Sequence, residues 1–131
     1  MVSIFTKAQY EKLQKNGSPE NRGKDHKPVI KLFLTGTGCT WLLTEIDNEE
    51  PYRAFGLCDL GHGFPELGYV DIREITTVKN HLGLVAERDI HFEGKYPISV
   101  YADAARITRQ ITENDSALLS ALNAIQDRKP Q

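Results

Sequence analysis

Val29-Ile30-Lys31-Leu32-Phe33-Leu34, Thr40-Trp41-Leu42-Leu43-Thr44-Glu45-Ile46, Tyr52-Arg53-Ala54-Phe55-Gly56-Leu57-Cys58 and Glu66-Leu67-Gly68-Tyr69-Val70 follow one another with only short polar connections between them. Each run is rich in β-branched, aromatic and aliphatic residues and is bounded by turn formers, the pattern of strands. The linkers Thr35-Gly36-Thr37-Gly38, Asp47-Asn48-Glu49-Glu50-Pro51 and Gly61-His62-Gly63-Phe64-Pro65 are too short for parallel crossovers, which take a dozen residues or more. The centre of the chain therefore reads as an antiparallel meander. Phe55 and Leu57 share one face of the third strand.

Helices flank this centre. Thr6-Lys7-Ala8-Gln9 has the form of a capping box, with Phe5 and Tyr10 placed as its hydrophobic staple. Asn16-Gly17 closes that helix with residues that tolerate the left-handed conformation. Residues 17–28 form a long polar loop. Asp71-Ile72-Arg73-Glu74 repeats the capping pattern, with Val70 and Ile75 as its staple, for a short helix ending near residues 80–83. Glu87 to Phe92 reads as a further strand. Ser99 caps a helix striped by Val100, Ala104, Ile107 and Ile111, and a last helix over about 115–127 carries Leu118, Leu122 and Ile125 on one face. The expectation is a single α+β domain over residues 1–131, with a meander of four to five strands packed with three to four helices and a frayed tail.

Composition sets limits on function. The 131 residues carry 16 basic and 18 acidic side chains, a net charge of −2, which excludes strong polyelectrolyte binding by the chain as a whole. The charge is uneven: residues 1–31 sum to +4, residues 32–74 to −6, and the remainder balances. Lys7, Lys12, Lys15, Arg22, Lys24 and Lys27 make a loose basic arm without the interleaved aromatics of a stacking platform, so nucleic acid is the lesser partner reading. Two cysteines cannot build a disulfide framework. The first residues lack the apolar core of a secretory leader, and no apolar run approaches the ~18 residues that span a bilayer. The expectation is a cytoplasmic protein without a membrane partner.

The segment richest in chemistry is Cys58-Asp59-Leu60-Gly61-His62-Gly63-Phe64-Pro65-Glu66. It offers an Asp59–His62 pair for general-base work, Glu66 as an acid, and Cys58 as a thiol near an imidazole. Read without chemistry, it is a tight turn between strands with an exposed histidine. A metal would have to recruit His62 and His91 with Asp59, Asp89, Glu93 or Cys58, but no closely spaced ligand pair anchors such a site, so neither a metal nor a cofactor is expected. Gly36-Thr37-Gly38 precedes a strand rather than a helix and is a hairpin, not a phosphate cradle. Phe64 is an aromatic side chain in a Gly/Pro loop rather than a periodic element. With Glu66 and His62 it forms the candidate binding group, and another protein is the expected partner.

Several stretches resemble one family: Trp41 to Glu45, Ala54 to Gly61, Pro65 to Val70, Leu82-Gly83-Leu84, Glu87 to Phe92 and Tyr101 to Ala105. Together they are similar to an uncharacterised bacterial family, the domain of unknown function 2958, over most of residues 5–111. The resemblance implies a bacterial protein associated with plasmids and integrative elements. It carries over no catalytic residue. The stretch after Asn114 lies outside it. The leading functional reading is a non-enzymatic interaction module, an accessory of a mobile element that binds a host or element protein. The alternatives are a small hydrolase or metal-assisted enzyme using Asp59, His62 and Glu66, and weak nucleic-acid binding through the basic arm.

Overall fold

Alternation along the second strand organises the molecule. In the computed structural model, which describes residues 4–128, Trp41 and Leu43 of that strand point to one apolar cluster while Leu42 points to another on the opposite face of the sheet. The elements run α1 (Lys7–Asn16), β1 (Ile30–Phe33), β2 (Cys39–Ile46), β3 (Arg53–Leu60), β4 (Glu66–Asp71), α2 (Ile72–Thr77), β5 (Glu87–Arg88), α3 (Ile98–Thr108) and α4 (Asp115–Arg128). The strands form one five-stranded antiparallel sheet in the order β4-β3-β2-β1-β5. This is the expected α+β meander. Leu13, Ile72 and Ile75 of α1 and α2 join Trp41 and Leu43 on one face; Tyr101, Ala104, Ala105 and Leu118 of α3 and α4 join Leu42 and Leu57 on the other. Each leucine or isoleucine among them, fully buried, contributes roughly 1.5–3 kcal/mol. The readings made for residues 1–3 and 129–131 lie outside the described residues.

A bulge at Thr44 keeps the first cluster continuous. The β2–β3 register shifts between Leu43 and Glu45, so Ile46 returns to the face of Trp41 and Leu43 opposite Ala54. The site needs a close approach of backbones, and Gly56 allows it. A Cβ at Gly56 would stand 2.0 Å from the Leu42 carbonyl oxygen. Thr44 donates its hydroxyl to the Phe55 carbonyl across the same irregularity.

The helix ends obey local rules in part. Thr6 and Gln9 form the full capping box at 3.0 and 3.1 Å, and Phe5 lies against Tyr10. At α2, Asp71 accepts from the Arg73 N–H and takes the Arg73 guanidinium on both oxygens, so Glu74 does not complete a box. Gly17 ends α1 at φ −89°, not in the left-handed region. Its small size matters instead, because a Cβ there would meet the Ile46 carbonyl oxygen at 1.8 Å.

Other expectations are corrected. β3 extends to Leu60, so Asp59 belongs to a strand and not to the following loop. β5 is only Glu87–Arg88, and His91 and Phe92 lie beyond it, where the Asp89 carboxylate bonds the His91 N–H and turns the chain. α3 starts at Ile98, one residue before the expected cap. Ser99 lies inside it and donates its N–H and hydroxyl to Asp25, at 3.0 and 2.5 Å. Residues 17–28 thus serve as a strap that caps a helix 74 residues away. The buried stripe of α3 is Val100, Tyr101, Ala104 and Ala105; Ile107 is 80% exposed, and Ile111 lies past the helix end. Leu118, Leu122 and Ile125 of α4 face the second cluster as their spacing predicts.

Gly56 and its cross-strand neighbour Gly68 make a direct test, since a Cβ at Gly68 meets nothing within 4 Å. Gly56→Ala is expected to cost about 3 kcal/mol or more. Gly68→Ala is expected to leave stability unchanged or raise it by up to ~1 kcal/mol. Urea unfolding of both variants measures the difference; equal losses would refute the close-approach account.

Candidate functional site

The site begins where β3 runs out. Asp59 is 3% exposed and faces the α3–α4 layer, on the side of Leu57. One carboxylate oxygen accepts the Gly61 N–H at 2.9 Å and the other accepts the Ile111 N–H at 3.0 Å. The first bond shapes the turn after β3. The second ties the segment between α3 and α4 to the sheet. Gly61 takes φ +82°, a left-handed conformation that glycine adopts without strain, and packs on Gly38 of the neighbouring hairpin.

This turn presents the side chains singled out from sequence. Phe64 stands 72% exposed while the next residue, Pro65, is buried and anchors the loop. Gly63, Phe64, Pro65 and Glu66 line an open cavity of about 320 Å³ with Arg106 and Arg109. Arg106 pairs with Asp103 on the same helix. Arg109 ends α3 in the left-handed conformation at φ 63°. The exposed Ile107 lies between these two arginines in sequence. The result is an aromatic side chain beside guanidinium groups and a carboxylate, a combination common in interface anchors. The arginines had no signal in the sequence, because only the return of α3 across the sheet brings them to the loop.

The candidate catalytic residues occupy different environments. The hydrogen bonds of Asp59 go to backbone N–H groups and not to His62, which is exposed between two glycines. Glu66 is exposed at the start of β4, opposite Cys58. Burial pushes the Cys58 thiol up to about 11, so it remains protonated at neutral pH and is a poor nucleophile. Asp89 accepts from the His91 N–H at 2.9 Å and meets Lys31 at 3.4 Å. That N–H, followed by Lys31, holds the Asp89 carboxyl below its ordinary range. His91 and Glu93 line a separate small cavity with Lys95 and Glu113. Among the described residues no group of three or more His, Cys, Asp or Glu side chains is placed to hold a metal ion.

The acidic middle segment does not form one face. Asp59 and Glu45 are buried, Glu45 against His26 at 3.7 Å with its carboxyl raised chiefly by burial. The Nε2 of His26 lies 2.8 Å from the Asn21 carbonyl, which can only accept, so that nitrogen carries a proton. Glu49, Glu50, Asp71 and Glu74 gather around an open groove of about 690 Å³ at the far end of β3 from Phe64. Lys31, which follows the basic arm and counts in the +4 of residues 1–31, is drawn inward. Burial alone would lower its pKa, but its bond to Glu113 at 2.6 Å and the charge of Asp89 outweigh that and raise it. No helix among the described residues is long and apolar enough to cross a membrane.

The sequence model of a family described as "Protein of unknown function (DUF2958)" matches residues 4–112. The chain belongs to that family. The match takes in the whole sheet, the Phe64 loop and α3, and stops before α4, whose Leu118 completes the second apolar cluster. Neither the curated proteins nor the solved structures yielded a match.

Asp59→Ala strands two backbone N–H groups and is expected to cost about 2–3 kcal/mol. His62→Ala and Glu66→Ala, both exposed, are expected to fall within ~0.5 kcal/mol of the parent. A chemical denaturation series checks this, and a silent Asp59→Ala would refute the bridging role. Asp89, with its lowered pKa, contributes stability above its unfolded value that is lost as pH falls through the lower folded one. Asp89→Asn is therefore expected to be about 1–2 kcal/mol less stable at neutral pH, with the gap closing well below about pH 4. Thermal melts across pH test it; a gap independent of pH would be the contrary result.

Proposed function

We propose that this chain is a non-enzymatic interaction module whose Phe64 loop engages another protein. The observation that carries the reading is Phe64 itself: a large apolar side chain 72% exposed, on a loop held by the buried Asp59 and Pro65, beside Arg106 and Arg109. Leaving an aromatic ring in water on an ordered loop gives up a burial gain of roughly 1.5–3 kcal/mol, which a partner surface would recover. The chemistry that fits is an apolar pocket for Phe64 with carboxylates nearby to meet the arginines. His62 in the loop and Glu66 at the start of β4 stand on either side of Phe64 in sequence and form the rim of this surface.

The reading extends to a cytoplasmic accessory protein of a bacterial mobile element, acting on a host or element protein. Its support is the association with plasmids and integrative elements that the family resemblance implies. The enzyme alternative gains nothing from Asp59, whose two oxygens are already engaged by backbone N–H groups.

The test is affinity capture from a nuclease-treated bacterial lysate, followed by titration of the purified partner. One stoichiometric protein is expected. Phe64→Ala should weaken its binding by roughly thirtyfold or more, a hot-spot loss of about 2 kcal/mol. Leu82→Ala, at another exposed apolar side chain, should leave it unchanged. Equal affinity for the parent and Phe64→Ala, or capture of no protein, would overturn the proposal.

A further inference from the structure

The two edges of the sheet differ in a way that folding alone does not require. At one edge β5 has only two residues, so it offers little backbone to a passing strand. At the other, β4 is six residues long, contains no proline or lysine, and pairs with β3 without a bulge. Leu67 and Tyr69 on it are 42% and 60% exposed. Apart from the carboxylates Glu66 and Asp71 at its two ends, β4 lacks the features with which proteins blunt an edge.

Backbone geometry says which groups the edge presents. The Ile72 N–H donates to the Tyr52 carbonyl at 2.8 Å, which makes Tyr52 and Ile72 a hydrogen-bonded pair. Such pairs alternate along an antiparallel ladder, so Val70, Gly68 and Glu66 direct their backbone groups to Ala54, Gly56 and Cys58. Leu67 and Tyr69 therefore turn their N–H and C=O groups outward, and Asp71 its N–H, while the Asp71 carbonyl, as N-cap of α2, accepts the first helical bond.

The ends of this edge carry opposite charge. Beside Glu66 lie Arg106 and Arg109, with Arg128 joining Arg106 at Asp103, so three arginines face two carboxylates. Beside Asp71 lie Glu49, Glu50 and Glu74, where Arg73 is paired to Asp71 and Arg53 stacks on Tyr69 at 4.0 Å, so four carboxylates face two arginines. A two-fold axis reverses strand direction and brings each end against the opposite one.

We propose that β4 pairs antiparallel with β4 of a second copy of this chain, centred on Tyr69. In that register Tyr69 exchanges both backbone bonds with the partner's Tyr69, and each Leu67 carbonyl accepts from the partner's Asp71 N–H, four bonds in all. The contact is isologous, and the arginine end of each copy faces the carboxylate end of the other. A foreign strand would satisfy the backbone equally well. The self-complementary order of charge is what selects a second copy. The proposal does not rest on the Phe64 reading, and the two are read separately: one by partner capture, the other by the mass of the purified chain alone.

Sedimentation of the purified chain over a range of concentrations is expected to show a reversible monomer–dimer equilibrium. Tyr69→Pro removes the central outward N–H while leaving the bonds to β3 intact, and is expected to raise the dissociation constant roughly tenfold or more. Arg106→Glu/Arg109→Glu and Glu49→Lys/Glu50→Lys are each expected to be monomeric, because both ends then carry one sign. Mixed together, these two variants restore opposite charges at both contacts and are expected to form a one-to-one heterodimer. That arm keeps the test decisive should the proline variant fail to fold, which circular dichroism reports. A parent chain that stays monomeric at every concentration overturns the proposal. So does a dimer indifferent to all of these substitutions, which would point to another face.

Discussion

One buried carboxylate ties the turn after β3 to the segment between α3 and α4. Asp59 sits at the end of β3 and accepts from Gly61, which starts the exposed turn, and from Ile111, which starts the passage between α3 and α4. A charge removed from water needs compensating donors, and two backbone N–H groups supply them at good distance. The consequence is geometric. The loop that carries Phe64 and the segment just after Arg109 are fixed to the same side chain, so their separation is set by the lengths of two hydrogen bonds. A reading of Asp59 as a general base has the right residue type in the wrong environment. Orientation toward the backbone, not toward His62, decides its role.

The sheet contributes a second constraint. Both of its faces are covered, so β2 must satisfy two apolar layers with a single alternation, and the bulge at Thr44 resets that alternation before Ile46. Gly56 opposite the bulge permits the backbone contact this demands. Coverage is least at β4, where Leu67 and Tyr69 remain in water beside the helical layer. The exposed ring of Phe64 and the open edge of β4 are therefore neighbours at the least protected margin of an otherwise well-buried sheet.

Much of this was legible from residues alone. Hydrophobic alternation and short turns predicted the meander from Val29 to Val70, and the Thr6–Gln9 box predicted the start of α1 down to its hydrogen bonds. Phe64 stood out because an aromatic residue in a Gly/Pro loop has no periodic element to bury it, and it is exposed. Failures came where a partner lay far along the chain. Ser99 resembled a local cap, yet its acceptor is Asp25. Ile107 fitted a helical stripe, but α3 has reached the sheet's margin there and the side chain faces water. His91 resembled an alternating strand residue, whereas Asp89 turns the chain before it.

The class of fold, the order of the elements and the loop of Phe64 could be read from the amino-acid order. These depend on side-chain periodicity and on hydrogen bonds between residues a few positions apart. Tertiary structure alone decided that Asp59 is a structural bridge, that the acidic residues split between core and far groove, that Arg106 and Arg109 flank Phe64, and that β4 is an open edge. Each of these depends on contacts between segments tens of residues apart, or on the absence of a further strand beside β4 among the described residues. Such relations arise only when the chain closes on itself, because distance in space is then no longer tied to distance in sequence.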